Sequence, residues 1–155
     1  MSAQTIANVL VSRMSEIGRC VIAFSGGVDS AVVAAAAVRA DRLRGGLPSI
    51  AVTAISPSVP QVQRDIAARV AMEIEIEHVC VATQEMAKDD YTKNDSRRCY
   101  YCKQTLYQTL RKVAADRGGL PIISGTNADD LGDYRPGIQA GRQADVATPL
   151  ADLRI

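Results

Sequence analysis

The stretch Cys20-Val21-Ile22-Ala23-Phe24-Ser25-Gly26-Gly27-Val28-Asp29-Ser30 reads as strand, loop and helix start in immediate succession. Cys20 to Phe24 is a short continuous apolar run, the pattern of a strand buried on both faces of a parallel sheet. From Asp29 to about Arg42 the chain is alanine-rich and helix-favouring, and Gly45-Gly46 closes it. A strand, a glycine turn and a helix N-terminus in that order put backbone N–H groups at the carboxyl edge of a sheet, which is an anion site. Gly26 and Gly27 permit positive φ and close approach of a phosphate, while Ser25 and Ser30 bring hydroxyls. The loop has neither the lysine and spacing of a Walker A motif nor the G-x-G-x-x-G fingerprint of a dinucleotide fold. Asp29 would repel bound phosphates unless a cation lies between, so magnesium is implied. Helix capping by Asp29 or Ser30 explains each residue singly and not the set.

The same alternation extends outward in both directions. Ile6, Val9, Leu10, Met14 and Ile17 recur at helical spacing from Thr5 to Ile17, before Gly18. Ile50 to Ile55 reads as a strand, Ser56 to Pro60 as a loop, Gln61 to Met72 as a helix and Glu75 to Val81 as a third strand. Arg98 to Arg117 reads as a second long helix, ended by Gly118-Gly119, and Pro121 to Ser124 as another buried strand opening into a glycine-containing loop. Asp89 to Arg98 and the tail after Arg135 are less regular. The expectation is an α/β domain, an open parallel sheet with helices on both faces, whose ligand lies beyond the carboxyl ends of the strands.

Length and composition fit one such domain. The chain has 155 residues, 47% of them hydrophobic, enough for a core without staples, and a formal net charge of +1. Basic and acidic residues are interleaved, so nothing marks a nucleic-acid backbone as partner. The longest apolar stretch, Ala31 to Val38, is too short to span a bilayer, and a membrane role is not expected; a cytoplasmic protein is. Four cysteines without a secretion signal point to packing, metal or redox use rather than a disulfide framework. Cys20 and Cys80 fall in expected strands and read as small core residues, and His78, in the same strand as Cys80, receives no role.

The S-G-G-x-D-S pattern at Ser25 to Ser30 after the first strand resembles the PP-loop ATP pyrophosphatase superfamily. The resemblance implies an adenine nucleotide alpha-hydrolase-like (HUP) domain that cleaves ATP between its α- and β-phosphates, so that AMP activates a substrate oxygen and pyrophosphate leaves. Three further segments are similar to the LarE family of ATP-dependent sacrificial sulfur transferases: Ala51 to Pro57, Arg98 to Lys103, and Gly125 to Asp130 with Asp133 to Gly137. In that family a pyridinium dicarboxylate mononucleotide is adenylylated on a carboxylate and sulfur is then inserted. The resemblance implies that Ser56, Gly125, Thr126 and Asn127 join Ser25, Gly26, Gly27, Val28, Asp29 and Ser30 around ATP. Asn127, Asp129 and Asp130 follow an expected buried strand at the same sheet edge, where Asp129 and Asp130 can join Asp29 at magnesium; turn and helix-cap chemistry is the other reading.

Lys103 and Arg135 are candidates for a substrate carboxylate or phosphate, arginine being suited to bidentate contact; solvated surface charge is the other reading. Cys99 and Cys102 form a C-x-x-C pair that suits a shared metal or cluster, or redox chemistry. By resemblance the pair is catalytic and holds an iron–sulfur cluster together with a downstream cysteine. That cysteine would lie past Ile155, so the expectation is a single PP-loop ATP-binding domain over 1–155 without the family's C-terminal segment. It would act as a homo-oligomer or with a separate C-terminal partner chain. The alternatives are an amide-forming enzyme of the same superfamily, for which C-x-x-C is superfluous, and a non-catalytic ATP- or AMP-binding module.

Overall fold

The computed structural model describes residues 2–55, 60–82, 98–125 and 147–153, and in the helix that begins at Arg98 the side chains from Leu106 onward. In chain order the elements are α1 (Ala3–Ile17), β1 (Val21–Ala23), α2 (Val28–Arg44), β2 (Ile50–Ile55), α3 (Gln61–Ile74), β3 (Glu77–Ala82), α4 (Arg98–Asp116), β4 (Ile122–Ile123) and α5 (Pro149–Asp152). The strands form a four-stranded sheet in the order β3-β2-β1-β4, and every pairing in it is parallel. Val21 sits opposite both Ile50 and Ile122, and Ile50 opposite Glu77. Ala147 extends the sheet by one parallel bridge to Ile123.

Both faces of the sheet are covered, as the unbroken apolar runs require. Successive residues of a strand point to opposite faces. Accordingly Ile22 and Ala51 pack with Leu10, Met14, Val33, Ala37, Ala67, Ala71 and Leu150 from α1, α2, α3 and α5. Val21, Ile50 and Val52 pack on the other face with Tyr107, Leu110 and Ala114 of α4. The alanines of α2 let it lie close to its neighbours, and each fully buried Val, Ile or Leu contributes about 1.5–3 kcal/mol. Connections from β1 through α2 and α3 keep to one face, and the return from β3 to β4 through α4 uses the other. The order of strands therefore reverses between β1 and β4, the place in such sheets where a crevice opens at the carboxyl edge.

At the opposite, amino edge the last turn of α2 is tied to the starts of β1 and β2. Asp41 Oδ2 accepts the Ser49 N–H at 2.8 Å, Asp41 Oδ1 accepts from Arg44 at 2.7 Å, and Ser49 Oγ accepts the Cys20 N–H at 3.1 Å. Cys20 is buried as the strand pattern leads one to expect, and that burial pushes its thiol up to about 11. The folded thiol stays protonated where the unfolded one, at 9.0, ionises; this contribution to stability is intact below pH 9 and is lost as pH rises toward 11. Cys80 is a correction. It lies on β3, the edge strand of the described sheet, on the face opposite Val79 and Val81, where no described core cluster takes it in, and it is exposed. Alkylation of the native protein at pH 8 is expected to modify Cys80 and to spare Cys20 until denaturant is added, as read by peptide mass mapping.

Candidate functional site

The segment Phe24 to Ser30 leaves β1 at the carboxyl edge and folds on itself before α2 begins. The Gly27 N–H donates to Ser25 Oγ at 3.2 Å, Ser25 and Ser30 share a hydroxyl contact at 3.2 Å, and Ser30 Oγ donates to the Gly27 carbonyl at 3.3 Å. Ser30 Oγ also accepts the Ser25 N–H at 3.3 Å. With Ser30's proton committed to Gly27, the Ser25 hydroxyl donates to Ser30. Both serine hydroxyls thus shape the loop, and Ser30 is buried within it.

Residue Gly27 is the N-cap of α2, and no side-chain hydrogen bond caps that helix, whereas Ser2 caps α1 by accepting the Thr5 N–H at 3.2 Å. The N-cap position itself is thus held by glycine rather than by Asp29 or Ser30. Asp29 lies in the first turn of α2 and is half-buried, and Val28 ahead of it is 79% exposed, so its backbone, not its side chain, belongs to the cradle. The positive end of the α2 dipole faces the carboxyl edge.

Two glycines bring neighbouring elements against this turn. Gly26 has φ +82°, and a Cβ built there would lie 2.8 Å from Ala67 Cα of α3. A Cβ on Gly125, just after β4, would lie 2.9 Å from the Ser30 nitrogen and 3.1 Å from the Asp29 carbonyl carbon. The loop after β4 and the N-terminus of α2 thus meet at the switch point between β1 and β4. Gly125, expected near ATP, packs directly on the turn that leads into α2.

A second feature gave no signal in the sequence. Thr53 Oγ1 donates to the Phe24 carbonyl at 2.7 Å and accepts from His78 Nε2 at 2.7 Å, the tautomer required because threonine has one proton. The Phe24 and His78 rings meet edge-on with centroids 5.7 Å apart. The last carbonyl before Ser25 is thereby fixed to β2 and β3. Recognising this needs the register Thr53 opposite Cys80, which sequence spacing does not supply. Burial lowers the His78 pKa from 6.5, so the unfolded chain takes up the proton first as pH falls. Stability is expected to decline below pH 6.5 in urea titrations, and His78→Gln, which keeps a donor for Thr53, is expected to flatten that decline.

Of the other expected site residues, Ser56, Thr126, Asn127, Asp129, Asp130 and Arg135 lie outside the described residues. Cys99, Cys102 and Lys103 fall at the start of α4. Because α4 leaves β3 and enters β4, its first turn is at the carboxyl edge, on the face opposite α2. Their side chains are outside the described ones. For an iron–sulfur cluster the described cysteines supply no third ligand: Cys20 is buried at the amino edge, and no group of three or more His, Cys, Asp or Glu is gathered among the described residues. Among the described residues, no helix is long and apolar enough to cross a membrane.

No protein-family model matches the chain. An uncharacterized protein of Synechocystis is 46% identical over 140 residues, covering 90% of this chain and 51% of the relative. The pyridinium-3,5-bisthiocarboxylic acid mononucleotide synthase of Lactiplantibacillus plantarum, a LarE protein, is 31% identical over 144 residues, covering 92% of this chain and 51% of the synthase. This is a PP-loop chain, near LarE. Its fold is that of the NMN synthetase from Francisella tularensis, with TM-score 0.70 at 21% identity over 98% of this chain and 74% of that one. The NH3-dependent NAD synthetase of Campylobacter jejuni matches with TM-score 0.68 at 19% identity, over 84% of this chain and 59% of that one. The PP-loop chain spans about half the length of the curated relatives it matches, 51% of each of the two named above.

Proposed function

We propose that the chain binds ATP at the Ser25–Ser30 loop and serves the adenylylation of a carboxylate on a small, pyridinium-nucleotide-like substrate, with release of pyrophosphate, ahead of sulfur transfer. The observation that carries this reading is the α2 N-terminus: its cap is glycine, which brings no capping side chain, and Gly26 and Gly125 admit neighbouring backbone right up to it. Such a turn offers N–H groups and a helix dipole to a phosphate. The substrate class rests on the synthase that shares 31% identity with this chain, whose product is a pyridinium bisthiocarboxylic acid mononucleotide.

In this reading a substrate carboxylate oxygen attacks the α-phosphorus of ATP. The P–O bond to the β-phosphate breaks, AMP joins the carboxylate and pyrophosphate departs with the electron pair. Charge grows on the departing pyrophosphate, and N–H donors already aimed at it stabilise that growth without reorganising. Asp29, a hard oxygen donor in the first turn of α2, is suited to holding magnesium, with Asp129 and Asp130 as its proposed companions. Magnesium would neutralise phosphate charge. Lys103 and Arg135 are proposed to hold the substrate's acid groups, and Cys99 and Cys102 to serve the sulfur step. Oligomerisation or a separate partner chain is proposed to complete the site.

The test incubates the chain with ATP, magnesium and pyridinium mono- and dicarboxylates and measures AMP and pyrophosphate. Pyrophosphate matched by acyl-adenylate, together with the AMP that water releases from it, is expected, dependent on the acid and reduced about 100-fold or more in Asp29→Asn. ADP and phosphate as products, or no turnover with any acid, would sink the reading. A parallel arm with ammonia separates amide formation from sulfur transfer.

A further inference from the structure

Neither the loop motif nor the relatives assign a function to Arg64. It lies in the first turn of α3, where its N–H reaches the Pro60 carbonyl at 3.2 Å. Since α3 follows β2, this turn is at the carboxyl edge of the sheet, the edge that carries the phosphate loop. One turn further along α3, Ala67 is the residue against which Gly26 of the loop is pressed. Residues three and four apart share a helix face, with Cβ atoms about 5–6 Å from one another. Arg64, Ala67 and Ala71 therefore make one face, and the two alanines on it are buried.

The direction of the side chain follows from helix geometry. Cα–Cβ bonds tilt toward the helix N-terminus, so a long side chain at Arg64 leans from the level of Gly26 toward the open edge rather than down into the core. The residue retains partial exposure while its Nε atom is buried. Guanidinium is charged at every accessible pH and presents a fork of donors matched to phosphate oxygens. At the equivalent place on the loop's other flank stands Gly125, which brings backbone and no charge.

We propose that Arg64 is a further nucleotide-binding residue, whose guanidinium contacts a phosphate of ATP held on the Ser25–Ser30 loop. The proposal rests on the ATP reading above and adds to it a cation from α3. The loop supplies N–H groups from below, and Arg64 supplies charge from the flank of Gly26. A residue of this kind contributes to binding in proportion to the phosphate present.

The experiment titrates ATP, AMP and adenosine into the wild-type chain and into Arg64→Met and Arg64→Lys by nuclear magnetic resonance, with urea midpoints recorded for each variant. Arg64→Met is expected to lose about 10–100-fold in ATP affinity, the worth of one charge-assisted hydrogen bond, less for AMP, and nothing for adenosine. Arg64→Lys, which keeps the charge and loses the fork, is expected to lie between. Unchanged ATP affinity in either folded variant would overturn the proposal. So would an equal loss for all three ligands, which would make Arg64 a support of the fold or a neighbour of the base. Failure of the wild-type chain to bind ATP is a distinct result, and it would bring down the ATP reading itself and this inference with it.

Discussion

Gly26→Ala is expected to lower stability by about 2–4 kcal/mol and to cut adenylylation about 100-fold. Two separate causes act at this position. The backbone has φ +82°, a region where a side chain is strained, and the new Cβ would stand 2.8 Å from the Cα of Ala67, a backbone atom that cannot turn aside. Either α3 or the loop must move, and a loop displaced by about 1 Å no longer presents its N–H groups to a phosphate correctly. Gly45→Ala is the control, since Gly45 has φ +76° with nothing within 4 Å of its built Cβ. That variant should show the strain alone, about 1–2 kcal/mol, with turnover intact. Urea midpoints and ATP turnover on the two variants check the pair of expectations.

Asp41→Ala is expected to show the opposite division, a stability loss of about 2–4 kcal/mol with ATP affinity unchanged. Asp41 is 7% exposed and Ser49 is wholly buried. Removing the carboxylate leaves the Ser49 N–H and hydroxyl without the acceptor they reach at 2.8 Å and 3.2 Å, and leaves Arg44 without its partner. Arg44 retains some exposure, which places the estimate below that for a fully buried pair. The cluster sits at the amino edge, at the far end of α2 from the phosphate loop, so the nucleotide should not sense the change. Asp41→Asn keeps an acceptor for Ser49 and should lose less. Denaturant unfolding and ATP titration of both variants check this.

These contrasts trace how much of the molecule its sequence makes legible. β2 runs from Ile50 to Ile55, as the apolar run predicts, because both its faces are covered. β1 is shorter than the run Cys20 to Phe24, although both end residues still bond the β2 backbone, Cys20 accepting the Ile50 N–H and Phe24 donating to the Val52 carbonyl. The third strand begins two residues later than expected, since Glu75 takes φ +67° to end α3. The turn between β1 and α2 was legible because its chemistry is local, glycines and hydroxyls within six residues of one another. What was not legible depends on register or on helix faces: the Phe24–Thr53–His78 relay, the exposure of Cys80, the contact of Gly125 with Ser30, and Arg64 above Ala67. Each joins residues far apart in the chain, and the spacing of apolar residues carries no record of such pairings.

The most direct test of the account is exchange of labelled pyrophosphate into ATP by this chain, in the presence of magnesium and a pyridinium dicarboxylate mononucleotide. Adenylylation of a carboxylate is reversible before any sulfur moves, so exchange reports the proposed step without a sulfur donor. The account predicts label in ATP that depends on the acid and disappears in Asp29→Asn. Tight ATP binding with no exchange under any acid would contradict it and leave a nucleotide-binding module in its place.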